Sequence, residues 1–427
     1  MHYRAINSCI TFLGQIDSKA LLTVEGLADR EGGLHPVQQA MVNTHGSQCG
    51  FCTPGFIMAM FSNHHGSTSQ TDPAVEDDTI HDVLAGNLCR CTGYRPIIDA
   101  MREASQLQDQ TSIVRDAATI TALGNLRTVS PVEVAEGNHR FFIPRTVDEL
   151  ANLLTRNPSA HILAGGTDLG LLVTKENQKP AKIILISEIP ELREIVAGVE
   201  YIGVGAAATY RDLLPVIEPD YPSFATLIRR FGSRQIRNLG TIGGNITTAS
   251  SIGDSPPVLL ALGVTAEIGS VSSTREVAID DFFVGYRKTT LRPGEFVKSV
   301  TFPRLRNNQL FRTYKLSRRY DQDISAVCGA FRIDLDDDTV IDARIAYGGM
   351  ASTPKRAAAA EAALTGQRWS KATADAAARA IADDFQPLTD FRGTAAYRLT
   401  AAANLIRRFH LDTNVEDAHP LTNVYSL

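Results

Sequence analysis

Two tight cysteine pairs constrain this chain more than any other feature: Cys49-Gly-Phe-Cys52 within GSQCGFCTPGF, and Cys89-Arg-Cys91 within GNLCRCTGY. Six cysteines occur in 427 residues, so four in two short windows is not background. Any fold that uses them must bring two distant turns together. Helical sequence flanks each pair, and free backbone N–H groups at helix ends can hydrogen-bond sulfur and stabilise its negative charge. A C-x2-C turn and a C-x-C turn suit a [2Fe-2S] cluster with two thiolates per iron. Structural zinc is the rival, although zinc sites more usually show C-x2-C twice. A plain packing role does not account for paired spacing.

The rest of the composition narrows the class. With 44% hydrophobic and 21% charged residues the sequence reads as globular, and its length predicts about three domains at roughly 150 residues each. A net charge of -5 with no basic tract gives no support to a nucleic-acid partner. The longest apolar runs, such as VLLALGV from Val258, fall short of the ~18 residues a membrane helix needs. The segment MHYRAINSCITFLGQ lacks the pattern of an export signal, so the expectation is a cytoplasmic protein with reduced thiols and no membrane contact.

Local signals divide the chain in three. Pro36 and Pro54 start helices on either side of the first cysteine turn, and Thr79 is expected to cap a short helix that delivers Cys89 and Cys91. A further helix begins at Pro96. The polar stretch GSTSQTDPAVEDD reads as a mobile loop, and a linker without periodicity runs from about Asp109 to Arg140. Thr146 and Glu149 then form a capping box, followed by strands, helices and glycine turns to about Pro303. Beyond lie strands around Tyr314, Cys328 and Ile345, with Asp336-Asp337-Asp338 turning between the last two, and alanine-rich helices from Lys355 and Gly393.

Two glycine turns, Ala164-Gly165-Gly166-Thr167-Asp168 and Thr241-Ile242-Gly243-Gly244-Asn245, could each present backbone N–H groups to a phosphate. Tight turns between core strands explain either equally well. Gly203-Val204-Gly205-Ala206-Ala207-Ala208 matches G-x-G-x-x-A after a strand, but Thr209 caps the next helix and no acidic residue stands at the required strand end. That segment is expected to be structural. Arg229, Arg230, Arg234 and Arg237 read as a solvated helix face, and Lys315, Arg318 and Arg319 as surface charge unless a cofactor lies nearby. Cys328 reads as packing. His35, His45, His64 and His65 show no metal-ligand spacing, and no Ser-His-Asp or paired-carboxylate arrangement is visible.

Read together, GSQCGFCTPGF, GNLCRCTGYRPI, ILAGGTDLG, QIRNLGTIGGNI, FFVGYRKT and KLSRRYDQDISAV closely resemble the small subunits of bacterial xanthine dehydrogenases, in the molybdenum hydroxylase family. The resemblance implies a multidomain α and α+β protein. Residues 1–25 would be a remnant of a plant-type ferredoxin domain, 26–108 a helical [2Fe-2S] domain, and 109–138 a linker. Residues 139–308 would form an FAD-binding α/β domain of the vanillyl-alcohol-oxidase type, and 309–427 a small α+β domain of the carbon monoxide dehydrogenase flavoprotein type. Cys49, Cys52, Cys89 and Cys91 match the cluster ligands, with Gln48 approaching the pterin. Leu163, Ala164, Gly165, Gly166, Thr167, Asp168 and Leu169 match the flavin pyrophosphate loop. Gly240, Thr241, Ile242, Gly243, Gly244 and Asn245 match the second phosphate turn, with Thr248 and Asp254 beyond it. Phe231 and Tyr286 match aromatics near the flavin and nicotinamide, and Val297 and Lys315 match further flavin contacts. The implied activity passes electrons from a purine, oxidised at a molybdenum cofactor on a large partner subunit, through [2Fe-2S] to FAD and on to NAD+, in a heterotetramer. Alternatives are a non-relaying assembly subunit, or the small subunit of an aldehyde-type hydroxylase. Cys9, in INSCITFLGQI, matches the fourth ligand of the family's plant-type cluster, whose other three ligands do not appear, and one cysteine cannot hold a cluster. Ile10, Phe12 and Leu13, which would pack on that domain, are expected to be exposed.

Overall fold

Proline opens the helix Pro36–Asn43, where its missing N–H costs nothing, and His35 caps it: the ring Nδ1 accepts the Val37 N–H at 3.3 Å. The computed structural model describes residues 3–28, 31–66, 76–107 and 117–414. They divide into two compact units, one comprising Met1–Glu133, Gly166–Lys179 and Gly232–Leu239, the other Val134–Gly165, Pro180–Phe231 and Gly240–Leu427.

The first unit is helical. Helices Pro36–Asn43, Thr53–Gly66, Asp77–Leu84 and Arg95–Gln106 enclose a core of Leu27, Val37, Phe56, Phe61, Ile80, Val83, Ile97 and Met101. In the last helix the buried residues Ile97, Ala100, Met101 and Ala104 follow the one-face spacing of a helix. Burying each large side chain contributes roughly 1.5–3 kcal/mol. The third helix starts at Asp77 with Glu76 as N-cap, so Thr79 lies inside it and is not the expected cap. Two acidic residues in the first turn, Asp77 and Asp78, favour the earlier start. Most of the expected mobile loop, residues 67–75, lies outside the described residues, as do 109–116 of the expected linker. Within that linker the structure shows a helix, Ala117–Leu126, and a strand. None of the helix's residues is buried, and its apolar residues follow no single face, which is why periodicity did not reveal it.

Among the described residues the second unit holds most of three larger sheets and a two-stranded hairpin. The first takes the order β1–β2–β4–β3, from Val132–Glu136, His139–Ile143, His161–Leu163 and Lys182–Leu185, with β2 and β3 both parallel to β4. The crossover helix Val147–Arg156 begins at the predicted capping box: Thr146 Oγ1 accepts the Glu149 N–H at 3.2 Å, and Glu149 accepts the Thr146 N–H at 3.3 Å. The second sheet is antiparallel, in the order β5–β6–β11–β7–β8. These strands are β5 Ile195–Ala197, β6 Tyr201–Gly205, β7 Thr265–Gly269, β8 Thr274–Ala278 and β11 Phe296–Pro303. A two-stranded hairpin, β9 Phe283–Gly285 with β10 Lys288–Thr289, stands beside it in the sequence. The third sheet runs β12–β13–β14–β15 from Gln309–Leu316, Val327–Asp336, Thr339–Gly348 and Lys355–Arg356, with Asp337 at positive φ in the predicted turn. Helices Ala358–Leu364, Lys371–Asp384 and Ala395–Thr413 pack on that sheet through Phe331, Tyr347, Ile381 and Phe409. Every residue of the helix Ser255–Leu262 is buried, as a helix apolar on all sides must be. The chain is thus a multidomain α and α+β protein, as the sequence implied.

Candidate cofactor sites

Backbone conformation shapes both cysteine turns. Gly50, between Cys49 and Cys52, has φ +82°, which glycine adopts without strain. After Cys91 the chain takes two left-handed residues in succession, Gly93 at φ +67° and Tyr94 at φ +70°, before the helix Arg95–Gln106 begins. A tyrosine there is strained and must be held. Its hydroxyl accepts the Cys89 N–H at 2.9 Å, and its N–H donates to Thr92 Oγ1 at 3.1 Å.

The turns meet. The Cys49 and Cys91 thiols lie near enough to perturb each other's ionisation, as do those of Cys52 and Cys89. Cys89 is buried, Cys52 half-buried, and Cys49 and Cys91 exposed. The Thr92 hydroxyl, 3.2 Å away, and the Thr92 and Cys91 N–H groups bring the Cys89 thiol down to about 7. Burial and the contact with Cys89 push Cys52 up to about 11. The Phe51 N–H and the Cys91 thiol lower Cys49, while the neighbouring Cys49, with burial, raises Cys91. Each pair therefore holds one thiol shifted down and one shifted up. Among the described residues no three His, Cys, Asp or Glu side chains gather as one metal ion would need. Four soft sulfur donors in two pairs fit a binuclear centre with two thiolates per metal better than a single tetrahedral ion. Cys9 is exposed, and Leu13 is 83% exposed, as expected; Ile10 and Phe12 are half-buried, and the Ile10 backbone lies against Gly170.

The glycine turns are built differently from one another. Leu163 ends β3, fully buried; Leu163, Ala164 and Gly165 belong to the second unit, and Gly166, Thr167, Asp168 and Leu169 to the first. Gly166 has φ +76°, and the short helix Leu169–Thr174 follows. In the second turn Thr241 caps the helix Ile242–Thr248, its Oγ1 accepting the Gly244 N–H at 3.0 Å. A Cβ on Gly243 would lie 2.5 Å from the Ala206 Cβ and carbonyl oxygen. The Gly243 N–H donates to that same carbonyl at 3.0 Å, and the Tyr210 N–H donates to Gly240 O at 2.9 Å. The G-x-G-x-x-A segment is thus a support, as expected: Gly205 closes on the Leu192 carbonyl, Ala206 meets Gly243, and Ala207 shares a buried cluster with Ala164.

Tyr210 ties the remaining candidates together. Its ring meets Phe231 edge-on at 4.6 Å between centroids, and its hydroxyl lies 2.7 Å from Ser255 Oγ. Beside Ser255, the buried Asp254 pairs with Lys315, Nζ to Oδ2, at 2.5 Å. Lys315 is therefore no surface charge. Val297 is buried in β11 next to a register shift, Thr248 ends the glycine-turn helix half-buried, and Tyr286 is exposed. Asn245 Oδ1 is buried without a hydrogen-bond partner, and the turn around it is stripped of Cβ atoms where backbones approach. An orphan acceptor can take a hydroxyl or N–H donor of a bound flavin nucleotide, and a turn cleared of Cβ atoms gives such a group room.

The arginines correct the sequence reading in part. Arg229 does pair at the surface with Glu218. Arg237, however, is 4% exposed and bonds Asp82, while Arg234 reaches Asn63 at 2.7 Å and Asp82 at 3.6 Å. Arg230 fastens the carbonyls of Lys315 and Tyr320. Tyr210, Ser255 and Ser325 escaped notice, because nothing local marks a buried hydroxyl whose partners lie far along the chain.

Three family profiles match the sequence: the [2Fe-2S] binding domain over residues 23–102, the FAD binding domain in molybdopterin dehydrogenase over 135–305, and the CO dehydrogenase flavoprotein C-terminal domain over 312–413. Xanthine dehydrogenase 1 of Arabidopsis thaliana is 32% identical over 90% of this chain, and the xanthine dehydrogenase/oxidase of Rattus norvegicus 28% over 95%. The chain spans about a third of the length of these curated relatives, 33% and 34%. Among solved structures, a chain of the carbon monoxide dehydrogenase from Hydrogenophaga pseudoflava is 30% identical at a TM-score of 0.61, over 64% of this chain and 96% of that one. A chain of quinoline 2-oxidoreductase from Pseudomonas putida 86 is 26% identical at 0.60, over 65% and 97%. With its thiol pairs, its glycine turns and these matches in the same order along the sequence, the chain belongs to the molybdenum hydroxylase family, of which it carries the iron–sulfur and flavin domains.

Proposed function

We propose that this chain is the electron-transfer part of a xanthine-dehydrogenase-type enzyme, with FAD and a [2Fe-2S] cluster as resident cofactors and NAD+ as acceptor. When bound, these groups supply the redox chemistry linking a purine, oxidised at a molybdenum cofactor on a large partner subunit, to NAD+. The meeting of four cysteines in two thiol pairs carries this reading. Cys49, Cys52, Cys89 and Cys91 hold the cluster. Thr92 and the Cys91 N–H hydrogen-bond the Cys89 sulfur and so set how much charge it donates. Exposed Cys49 and Cys91 present that centre at the surface of the first unit, where a partner can approach. In the same reading Leu163–Leu169 and Gly240–Asn245 bind the flavin's diphosphate, while Phe231, Thr248, Asp254, Val297 and Lys315 contact the remainder.

Co-purification with the large subunit, followed by counting iron, flavin and molybdenum, tests the assembly, a heterotetramer in this reading. Cys89→Ser should abolish purine-dependent NADH formation while NADH still reduces the flavin. Purine turnover to NAD+ that persisted in that variant would falsify the relay. The likeness to structures named for carbon monoxide and quinoline oxidation favours a second reading, in which the same relay serves another oxidisable substrate. Turnover of aldehydes or N-heterocycles, with none of purines, would select it.

A further inference from the structure

We infer that Ser325 is a positioning residue for the flavin, acting through Asp254 on Lys315; this rests on the flavin reading above. Asp254 stands at the N-terminus of the buried helix Ser255–Leu262, just beyond the Gly240–Thr248 turn, and is 4% exposed. Both its side-chain oxygens are taken: Lys315 Nζ donates to Oδ2 and Ser325 Oγ to Oδ1, each at 2.5 Å. Its main-chain carbonyl accepts from the Cys328 thiol at 3.6 Å. Strand pairing sets this clamp. Lys315 faces Cys328 and Leu316 faces Val327 across β12 and β13, and the Ala326 N–H donates to Leu316 O at 2.8 Å. Ser325 is thereby returned beside the carboxylate after an excursion of the chain through Tyr320.

A carboxylate with this little water contact needs a donor on each of its oxygens. Lysine has three N–H donors, and the one aimed at Oδ2 leaves two for another ligand. Ser325 makes that division possible. Without its hydroxyl, Oδ1 has no partner here, and the carboxylate competes for the ammonium's remaining donors. Lys315 is then drawn away from whatever else it holds.

The test compares flavin-stripped full-length chain as wild type, Ser325→Ala and Ser325→Thr. It titrates FAD by flavin fluorescence and records the visible spectrum and reduction potential of the bound flavin. The expected result is about ten- to hundredfold weaker FAD binding in Ser325→Ala, the loss of one charge-assisted hydrogen bond, with an altered potential and recovery in Ser325→Thr. A fold stabiliser with no other duty would leave affinity and potential unchanged well below the melting temperature, and that outcome overturns the inference. If Ser325→Ala does not fold, Ser325→Cys, near in size but a poorer donor, carries the same comparison. Wild-type chain that takes up no FAD overturns the flavin reading and this inference together. Wild-type binding with an indifferent Ser325→Ala removes the inference alone.

Discussion

Asp390 shows how single side chains secure the C-terminal part of the fold. It accepts from Arg398 at 2.7 Å, from the Arg392 guanidinium at 2.9 Å and from the Arg392 N–H at 2.8 Å. Arg398 in turn binds the carbonyls of Ala326 and Gly349. Burial pushes the Asp390 carboxyl up, but these donors outweigh it and bring the group down to about 2. Its folded value thus lies below its unfolded one. The stabilisation is fully present above about pH 4 and is lost as pH falls towards 2. With 31% of the side chain in water, Asp390→Asn should cost about 1–2 kcal/mol near neutral pH, and the deficit should shrink below pH 4. Denaturant unfolding of both proteins across that range checks this; a constant gap would contradict it. Little of this was legible beforehand. The cysteines announced themselves because each is followed or preceded by another two or three residues away in a short motif. Ser325 is 71 positions from Asp254 and Arg237 is 155 from Asp82, separations across which composition and spacing say nothing.

Elements fared better where a local rule decides their ends. Pro36 and the Thr146–Glu149 box start helices as read, since a cap and its acceptor sit within one turn. The strands around Tyr314, Cys328 and Ile345 and the acidic turn between the last two also formed as read. Ala117–Leu126 was missed because it packs no face into a core. Thr241–Asn245 was read as a glycine turn, but its glycines lie in the first turn of the helix Ile242–Thr248: Gly243 has no positive φ and is small because Ala206 lies against it. Gly243→Ala should therefore destabilise the second unit by about 1–3 kcal/mol and weaken FAD binding, through displacement of the helix it opens. Gly244→Ala, whose Cβ would meet Thr241 Oγ1 at 3.0 Å, should cost less. Thermal melts with and without FAD rank the two; equal losses would refute the close-approach argument.

At the scale of the molecule, the two units have separate cores, one built on Phe56, Phe61 and Ile97, the other on the three sheets. In the proposed reading the four cluster thiols lie wholly in the first unit and Gly240–Asn245 wholly in the second. Cys89→Ser should reduce iron and acid-labile sulfide without lowering FAD content, and Gly243→Ala the reverse. Loss of both cofactors together in either variant would show that the units do not fold separately. The division itself could not be read from the sequence, because Gly166–Lys179 and Gly232–Leu239 join the first unit from within the stretch expected to form the flavin domain. The thiol pairs carry one more consequence. Cys49 with Cys91, and Cys52 with Cys89, each bring two thiols from distant turns near one another, which is the starting arrangement for oxidation to a disulfide. Aerated protein emptied of iron should seal itself into two cross-links, and only a reductant would reopen the door to metal.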